Sequence, residues 1–241
     1  MKIVINADDF GITKQCTDAI LYCFKKEYIT TTTIVANGEA FDYAINLVKT
    51  TPYRDRVGLH INLTEGRPLT NSIKTNPKFC DENGTFHGSF NRHAHLSSRD
   101  KNDVYKEIKA QFLLVKNSGL FIHHIDSHHH IHNSFRLLPI IIKIMKEEKI
   151  DKIRVARNIG NISLLKRIFK KFLNFSLRKF KYTDLMGSIC DYRIFSKKSQ
   201  SSKTLEIMIH PDFGNNGVLL DRENDNYDSP TGSTINDSFF G

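Results

Sequence analysis

Ile3-Val4-Ile5-Asn6-Ala7-Asp8-Asp9-Phe10-Gly11 stands at the head of the chain. An apolar run of the kind that fills a strand buried on both faces stops on two adjacent carboxylates and a glycine. Successive side chains of a strand point to opposite faces. Asp8 and Asp9 can therefore serve one cleft only where the strand has ended and the chain turns. Two carboxylates side by side repel unless a cation lies between them or one keeps a proton. The stretch asks for a metal ion or an acid–base role; an Asp-Asp-x-Gly turn with an N-cap for the next helix is the alternative these residues also allow.

Working outward, Ala19, Ile20, Cys23 and Phe24 share one face of a helix over 13–26, and the β-branched run Tyr28 to Val35 reads as a strand. Phe41, Ala44, Ile45 and Val48 repeat at helical spacing, and Val57-Gly-Leu-His-Ile-Asn-Leu63 is a strand carrying His60. Strand and helix alternating over some 60 residues argue for βαβ units and a parallel sheet. Residues 64–100 lose periodicity and read as a long loop, of the length that serves as a lid or binding loop. A helix is expected from Asp103 to Ser118-Gly119, then a short strand from Leu120 that runs into the histidines at 128–132. A helix over 136–148 with Pro139 in its first turn, a strand over 152–157 carrying Arg154 and Arg157, and a strand from Thr204 ending at His210-Pro211 complete the pattern. Residues 1–212 are expected to form one catalytic domain. The Asn/Asp/Gly/Ser-rich segment 213–241 is expected to be a tail of low order.

The chain has 241 residues, 39% of them apolar, which suffices for a sizeable core. A net charge of +9 calls for an anionic neighbour: nucleic acid, a membrane surface, or an acidic substrate. Cys16, Cys23, Cys80 and Cys190 show no C-x-x-C spacing and read as reduced thiols of a cytoplasmic protein. The opening apolar run is broken by Asn6 and Asp8, unlike a signal peptide, and no apolar stretch approaches the ~20 residues of a membrane span. Over 161–181, Leu164, Leu165, Ile168, Phe169, Phe172, Phe175 and Phe180 interleave with seven Lys and Arg. This predicts a basic amphipathic helix. Its simplest reading is a peripheral helix with one core face; the same pattern suits contact with an anionic membrane face.

Four strands end on, or carry near their ends, a group that binds metal or moves protons: Asp8/Asp9, His60, the cluster at 128–132, and His210. In parallel α/β folds the C-terminal strand ends build the active site. One carboxylate with two imidazoles is a divalent-metal set that leaves positions open for water. A second carboxylate can take a proton from that water, and a histidine opposite can give one to a leaving group. Within the cluster, alternation puts His128, His130 and His132 on one face if the strand continues.

Together, Asn6-Ala-Asp-Asp-Phe-Gly11, Gly58-Leu-His60, His124-Ile-Asp-Ser-His-His-His-Ile-His132 and Glu206-Ile-Met-Ile-His-Pro211 resemble the YdjC-like carbohydrate deacetylases, the chitooligosaccharide deacetylase family. The resemblance runs from residue 3 to about residue 213. It implies an α/β fold that is (β/α) barrel-like and distantly similar to polysaccharide deacetylases. It also implies hydrolysis of the N-acetyl group of an amino sugar or glycan, with release of acetate. It maps metal ligands onto Asp9, His60 and His128, the general base onto Asp8 and the general acid onto His210. Magnesium is the metal it implies, while zinc suits the imidazole donors better on softness. Asp126, His130, Arg154 and Arg157 are expected to hold substrate or to support the ligands; the arginines equally fit structural ion pairs. A homodimer and a peripheral place at the inner membrane face are further expectations, with no specific nucleic-acid partner. The rivals are a metal phosphoesterase and a basic polyanion- or membrane-binding module. The long cationic helix and the polar tail depart from the family pattern.

Overall fold

In the computed structural model, which describes residues 1–89, 91–92, 94–195, 202–214, 216–223 and 234–236, strand and helix alternate. They run β1 Lys2–Phe10, α1 Lys14–Lys25, β2 Thr31–Ile34, α2 Phe41–Val48, β3 Val57–Ile61, α3 Asn71–Lys74, α4 Ser98–Asn117 and β4 Ile125–Ser127. There follow α5 Leu138–Glu147, α6 Leu164–Ser176, β5 Leu185–Ser188, α7 Ile189–Ile194 and β6 Thr204–Ile209, then β7 Pro211–Phe213 and β8 Leu219–Asp221.

The sheet is ordered β4-β3-β2-β1-β6-β5, and every neighbouring pair is parallel. It curls into a half-barrel with helices around it. Ile153 bridges Ile125 on one side and Lys181 on the other, which draws the two sheet edges towards each other. The sheet is buried by its helices, so β3 is buried at all five positions and reads as a continuous apolar run rather than an alternating one. Phe10, Ile34, Leu59, Ile61, Leu205 and Ile207 fill the interior together with Ile20, Phe24 and Ile108 from the helices. Parallel strands place their C-terminal ends along one rim, so Asp8/Asp9, His60, His128 and His210 arrive at the same end of the sheet.

Gly58 lets β3 lie close to the segment before β4. A Cβ there would sit 2.6 Å from the His124 carbonyl oxygen and 2.7 Å from its ring. Gly58→Ala is expected to lower stability by about 1–3 kcal/mol through overpacking, read as a lower denaturation midpoint.

Several elements differ from expectation for local reasons. Helix α4 begins at Ser98, not Asp103, because Ser97 and Asp100 form a capping box. The long loop holds α3 and a bridge between Cys80 and Phe86. The strand expected over 152–157 shrinks to the pairing at Ile153. The strand before the histidines is only Ile125–Ser127, since His128–Asn133 turns as a 3-10 segment with His129 and His130 at φ 49° and 50°. In the segment expected to be a low-order tail, β7 and β8 form an antiparallel hairpin. Gln15 donates to the Phe213 carbonyl, the rings of Tyr22 and Phe213 meet edge to face at 6.0 Å, and Leu219 and Ile235 are buried. Sparse but well-placed apolar contacts thus order a polar stretch. Residues 215, 224–233 and 237–241 of that segment lie outside the described residues. Helix α6 does not turn its apolar face inward: of its side chains Leu173 is the buried one, while Leu165 is 80% and Phe172 64% exposed. Among the described residues no helix is long and apolar enough to cross a membrane.

Candidate metal centre

β1 does not end before its carboxylates; it distorts at them. Its register with β2 shifts between Ala7 and Phe10, and Asp9 adopts φ 70°, a left-handed backbone that Asp tolerates better than most residues. The irregularity breaks the strict alternation of side chains, and both carboxylates reach the neighbourhood of His60. Asp8 and Asp9 are both essentially inaccessible to solvent.

Ligand atoms of Asp9, His60 and His128 lie within 4.8 Å of one another. Asp9 Oδ1 faces both rings, 3.3 Å from His60 Nε2 and 2.9 Å from His128 Nδ1. His60 stands in register with Asp126 on the neighbouring strand, and its Nδ1 lies 2.7 Å from Asp126 Oδ1. A carboxylate behind an imidazole fixes the ring and leaves the other nitrogen free for a metal. His128 is held likewise: its Nε2 lies 2.8 Å from Glu65 Oε2. Glu65 is set by Asn62, which accepts from the Thr64 and Glu65 amides and donates to the Glu65 carbonyl. One oxygen and two nitrogens, buried, convergent and individually oriented, fit a divalent ion with open positions.

The charges point the same way. Burial opposes a charge on His60, but Asp126, then Asp9 and Asp8, outweigh it and push its pKa up to about 10. Burial opposes a charge on His128 too, and its bonds to Asp9 and Glu65 push it up to about 9. Burial works against ionised Asp9; the two histidines nonetheless hold it well below the ordinary carboxylate range. Without a metal, protons on the rings thus balance the acids. Folded values above the ordinary 6.5 add stability that is complete below about pH 6.5 and is lost as pH rises towards 9–10. The metal-free protein is therefore expected to melt progressively lower from pH 7 to 10. The metal-loaded protein, whose ligands are already deprotonated, should show a flatter profile by calorimetry. Parallel profiles would count against these ligands.

Behind this set lies a buried arginine. Arg154 reaches both oxygens of Asp8 at 2.6 Å, Asp126 Oδ2 at 2.8 Å and Glu206 Oε1 at 2.7 Å. Burial disfavours ionised Asp8, yet the guanidinium keeps its carboxyl below the usual range. Burial raises Glu206 to about 7, and its Oε2 has no partner among the described residues. Opposite Asp8 stands His210, with Nε2 3.9 Å from Asp8 Oδ2. Asp221 accepts from the His210 amide at 2.9 Å, and its carboxylate and that of Glu223 lie 3.9 and 3.7 Å from the His210 ring.

Of the residues expected at the site, Asp8, Asp9, His60, His128, His210, Asp126 and Arg154 come together. Arg157 does not: it pairs with Asp191 at 2.5 Å, away from Asp8. His130 leaves the face expected of it because the turn rotates it. Its Nδ1 is buried without a partner among the described residues, and burial pushes it down to about 3. Sequence reasoning missed Asn6, which donates to Asp8 at 2.8 Å, along with Glu65, Asp221, Glu223 and Arg222. Arg222 lies 2.5 Å from Asp9 Oδ2. Glu65 was within reach of the strand-end reasoning, since it follows β3 closely. Asp221, Arg222 and Glu223 sit in the segment read as a tail.

The family model of the YdjC-like protein matches residues 2–234. A carbohydrate deacetylase of Oceanobacillus iheyensis is 33% identical over 230 residues, which are 94% of this chain and 91% of that one. A carbohydrate deacetylase of Clostridium beijerinckii is 30% identical over 91% of this chain and 84% of its own. A crystal structure from Enterococcus faecalis, of a protein proposed to act in cellobiose-phosphate cleavage, superposes with a TM-score of 0.68 at 24% identity. It covers 89% of this chain and 82% of its own, a likeness of fold.

Proposed function

This chain belongs to the YdjC-like family, and on that footing we propose that it is a metal-dependent hydrolase that removes the N-acetyl group from an amino sugar or glycan and releases acetate. The observation that carries the reading is the convergence of Asp9, His60 and His128 on one point, with Asp8 and His210 facing each other beside it. A divalent ion held there would polarise the acetamide carbonyl and acidify the attacking water. Asp8, kept ionised and aimed by Arg154, takes the proton of that water. His210, flanked by Asp221 and Glu223, delivers a proton to the sugar nitrogen as the C–N bond breaks. Asp126 and Glu65 orient the ligand rings. Two imidazoles favour zinc over magnesium at this set. The named relatives support the deacetylase over a phosphoesterase or a bare polyanion-binding module, which needs no such convergence. The outward apolar and cationic side of α6 supports work at an anionic membrane face from the cytoplasm.

The test is acetate release from a panel of neutral N-acetylated glycans, with and without chelator. Chelator-sensitive release is expected; phosphate release from an aryl phosphate with no acetate from any glycan would sink the reading. His210→Ala is expected to lower kcat on an acetamido sugar by about 10²–10⁴, and much less on an acetyl ester with a good leaving group. Equal losses on both would remove His210 as the proton donor.

A further inference from the structure

Beside the centre lies a feature that the chemistry above does not use. A cavity of about 950 Å³ opens between α6 and the turn that follows the histidine cluster. Arg92, Lys101, Arg136, Lys166 and Lys170 line it, and among the described residues no carboxylate does. Between these cations run Phe135, Ile140, Leu165 and Phe169; the rings of Phe135 and Phe169 meet edge to face at 5.1 Å across the cleft. A second chamber of about 210 Å³ shares Arg92, Asn133, Phe169 and Lys170 with the first. It ends against His130 and Met208, two residues after His128 and two before His210. The two chambers share a wall and run together from the outer face of α6 to His130, whose ring feels the charges of Asp8, His210 and His60.

The neck of the path is cationic. Arg92 donates to the His129 carbonyl, which fixes it over the histidine turn. Lys170 makes no ion pair with a described residue. Its ammonium is disfavoured first by burial and then by the charge of Arg157, with Lys166 and Arg92 adding to it. Asp191, the acid nearest to it in effect, is engaged by Arg157. Crowded cations of this kind are relieved by a bound anion. The mouth is apolar and continues onto α6, where Leu164, Leu165, Phe172 and Phe175 are all more than 60% exposed. An exposed apolar surface of this extent suits an apolar chain better than a soluble sugar alone.

We propose that this path binds the carrier of the substrate: an apolar, isoprenoid-like chain ending in phosphate or diphosphate, with the N-acetylated sugar at its end. The inference rests on the deacetylase reading for the sugar. The sugar enters the inner chamber, the phosphate lies at the neck on Arg92 and Lys170, and the chain follows Phe135, Ile140 and Phe169 out to the face of α6. That face then rests on the anionic lipid surface from which the chain emerges.

Calorimetric titration of the full chain with farnesyl diphosphate, farnesol and inorganic pyrophosphate tests it without turnover. Farnesyl diphosphate is expected to bind at least about tenfold more tightly than either fragment, since burial of several methylene equivalents adds to the ionic contact. Lys170→Gln should weaken farnesyl diphosphate and pyrophosphate alike, and Phe169→Ser only farnesyl diphosphate. Phe169 is 42% exposed and Lys170 half-buried, and an unchanged melting temperature checks the fold. Pyrophosphate binding as tightly as farnesyl diphosphate would reduce the path to a phosphate site and overturn the proposal. So would farnesol binding as tightly, or affinities that neither variant moves. Acetate release from neutral glycans, which need no carrier site, reports separately on the deacetylase reading.

Discussion

Asp8→Asn is expected to keep its metal and lose turnover by about 10²–10⁴, whereas Asp9→Ala and His128→Ala lose the metal itself. The separation follows from what each carboxylate faces. Asp9 Oδ1 is the atom towards which both ligand imidazoles turn. Asp8 is spanned on both oxygens by a guanidinium. Asp8, His60 and Asp126 also bring ligand atoms within 4.8 Å of one another, a rival set. That set is disfavoured because Arg154, wholly buried and unable to swing away, already pairs with both Asp8 and Asp126. A divalent ion there would meet a fixed positive charge. Arg222 also touches Asp9, but on Oδ2, and its side chain is partly exposed, so solvent can screen its charge. Elemental analysis of the purified variants decides the point. Metal retained in His128→Ala would move the ion to the rival set; metal lost in Asp8→Asn would exchange the roles of the two acids.

The second large effect belongs to Arg154. Replacing it with Met leaves Asp8, Asp126 and Glu206 facing one another in a site closed to water. Removing one partner of a buried ion pair costs about 3–5 kcal/mol. Here the loss should fall at the upper end, tempered by Glu206, whose pKa near 7 lets it take a proton. Arg157→Met is the control: its pair with Asp191 is 41% exposed on the arginine side, and the Ser188 amide still donates to Asp191, so the loss should be clearly smaller than for Arg154→Met. Denaturant midpoints for the two variants measure the contrast. A loss below about 1 kcal/mol for Arg154→Met would show that the arginine does not hold the carboxylates as described.

Much of the centre is legible in the amino-acid sequence. Asp8, Asp9, His60, His128 and His210 each follow or end an apolar run, and a parallel sheet brings such positions to one rim. The rest is not, and the reasons are local. The tail looked disordered because its composition is polar, yet a hairpin against α1 brings Asp221, Arg222 and Glu223 to His210 and Asp9. Arg154 and Arg157 are indistinguishable as neighbours on a predicted strand; the single pairing at Ile153 buries one among acids and leaves the other half-exposed. The left-handed backbone at His129 and His130 cancelled the alternation that would have aligned three histidines. Helix α6 has the pattern of a helix with a core face, and pattern does not say whether anything lies against it.

Residue order alone settled the alternation of strands and helices and the types of donor at their ends, because period and side-chain chemistry are properties of nearest neighbours along the chain. Only the folded sheet decided which donors meet, which arginine neutralises Asp8, and that the apolar side of α6 faces outward. Those outcomes depend on strand register and backbone irregularity, which bring together residues more than a hundred positions apart.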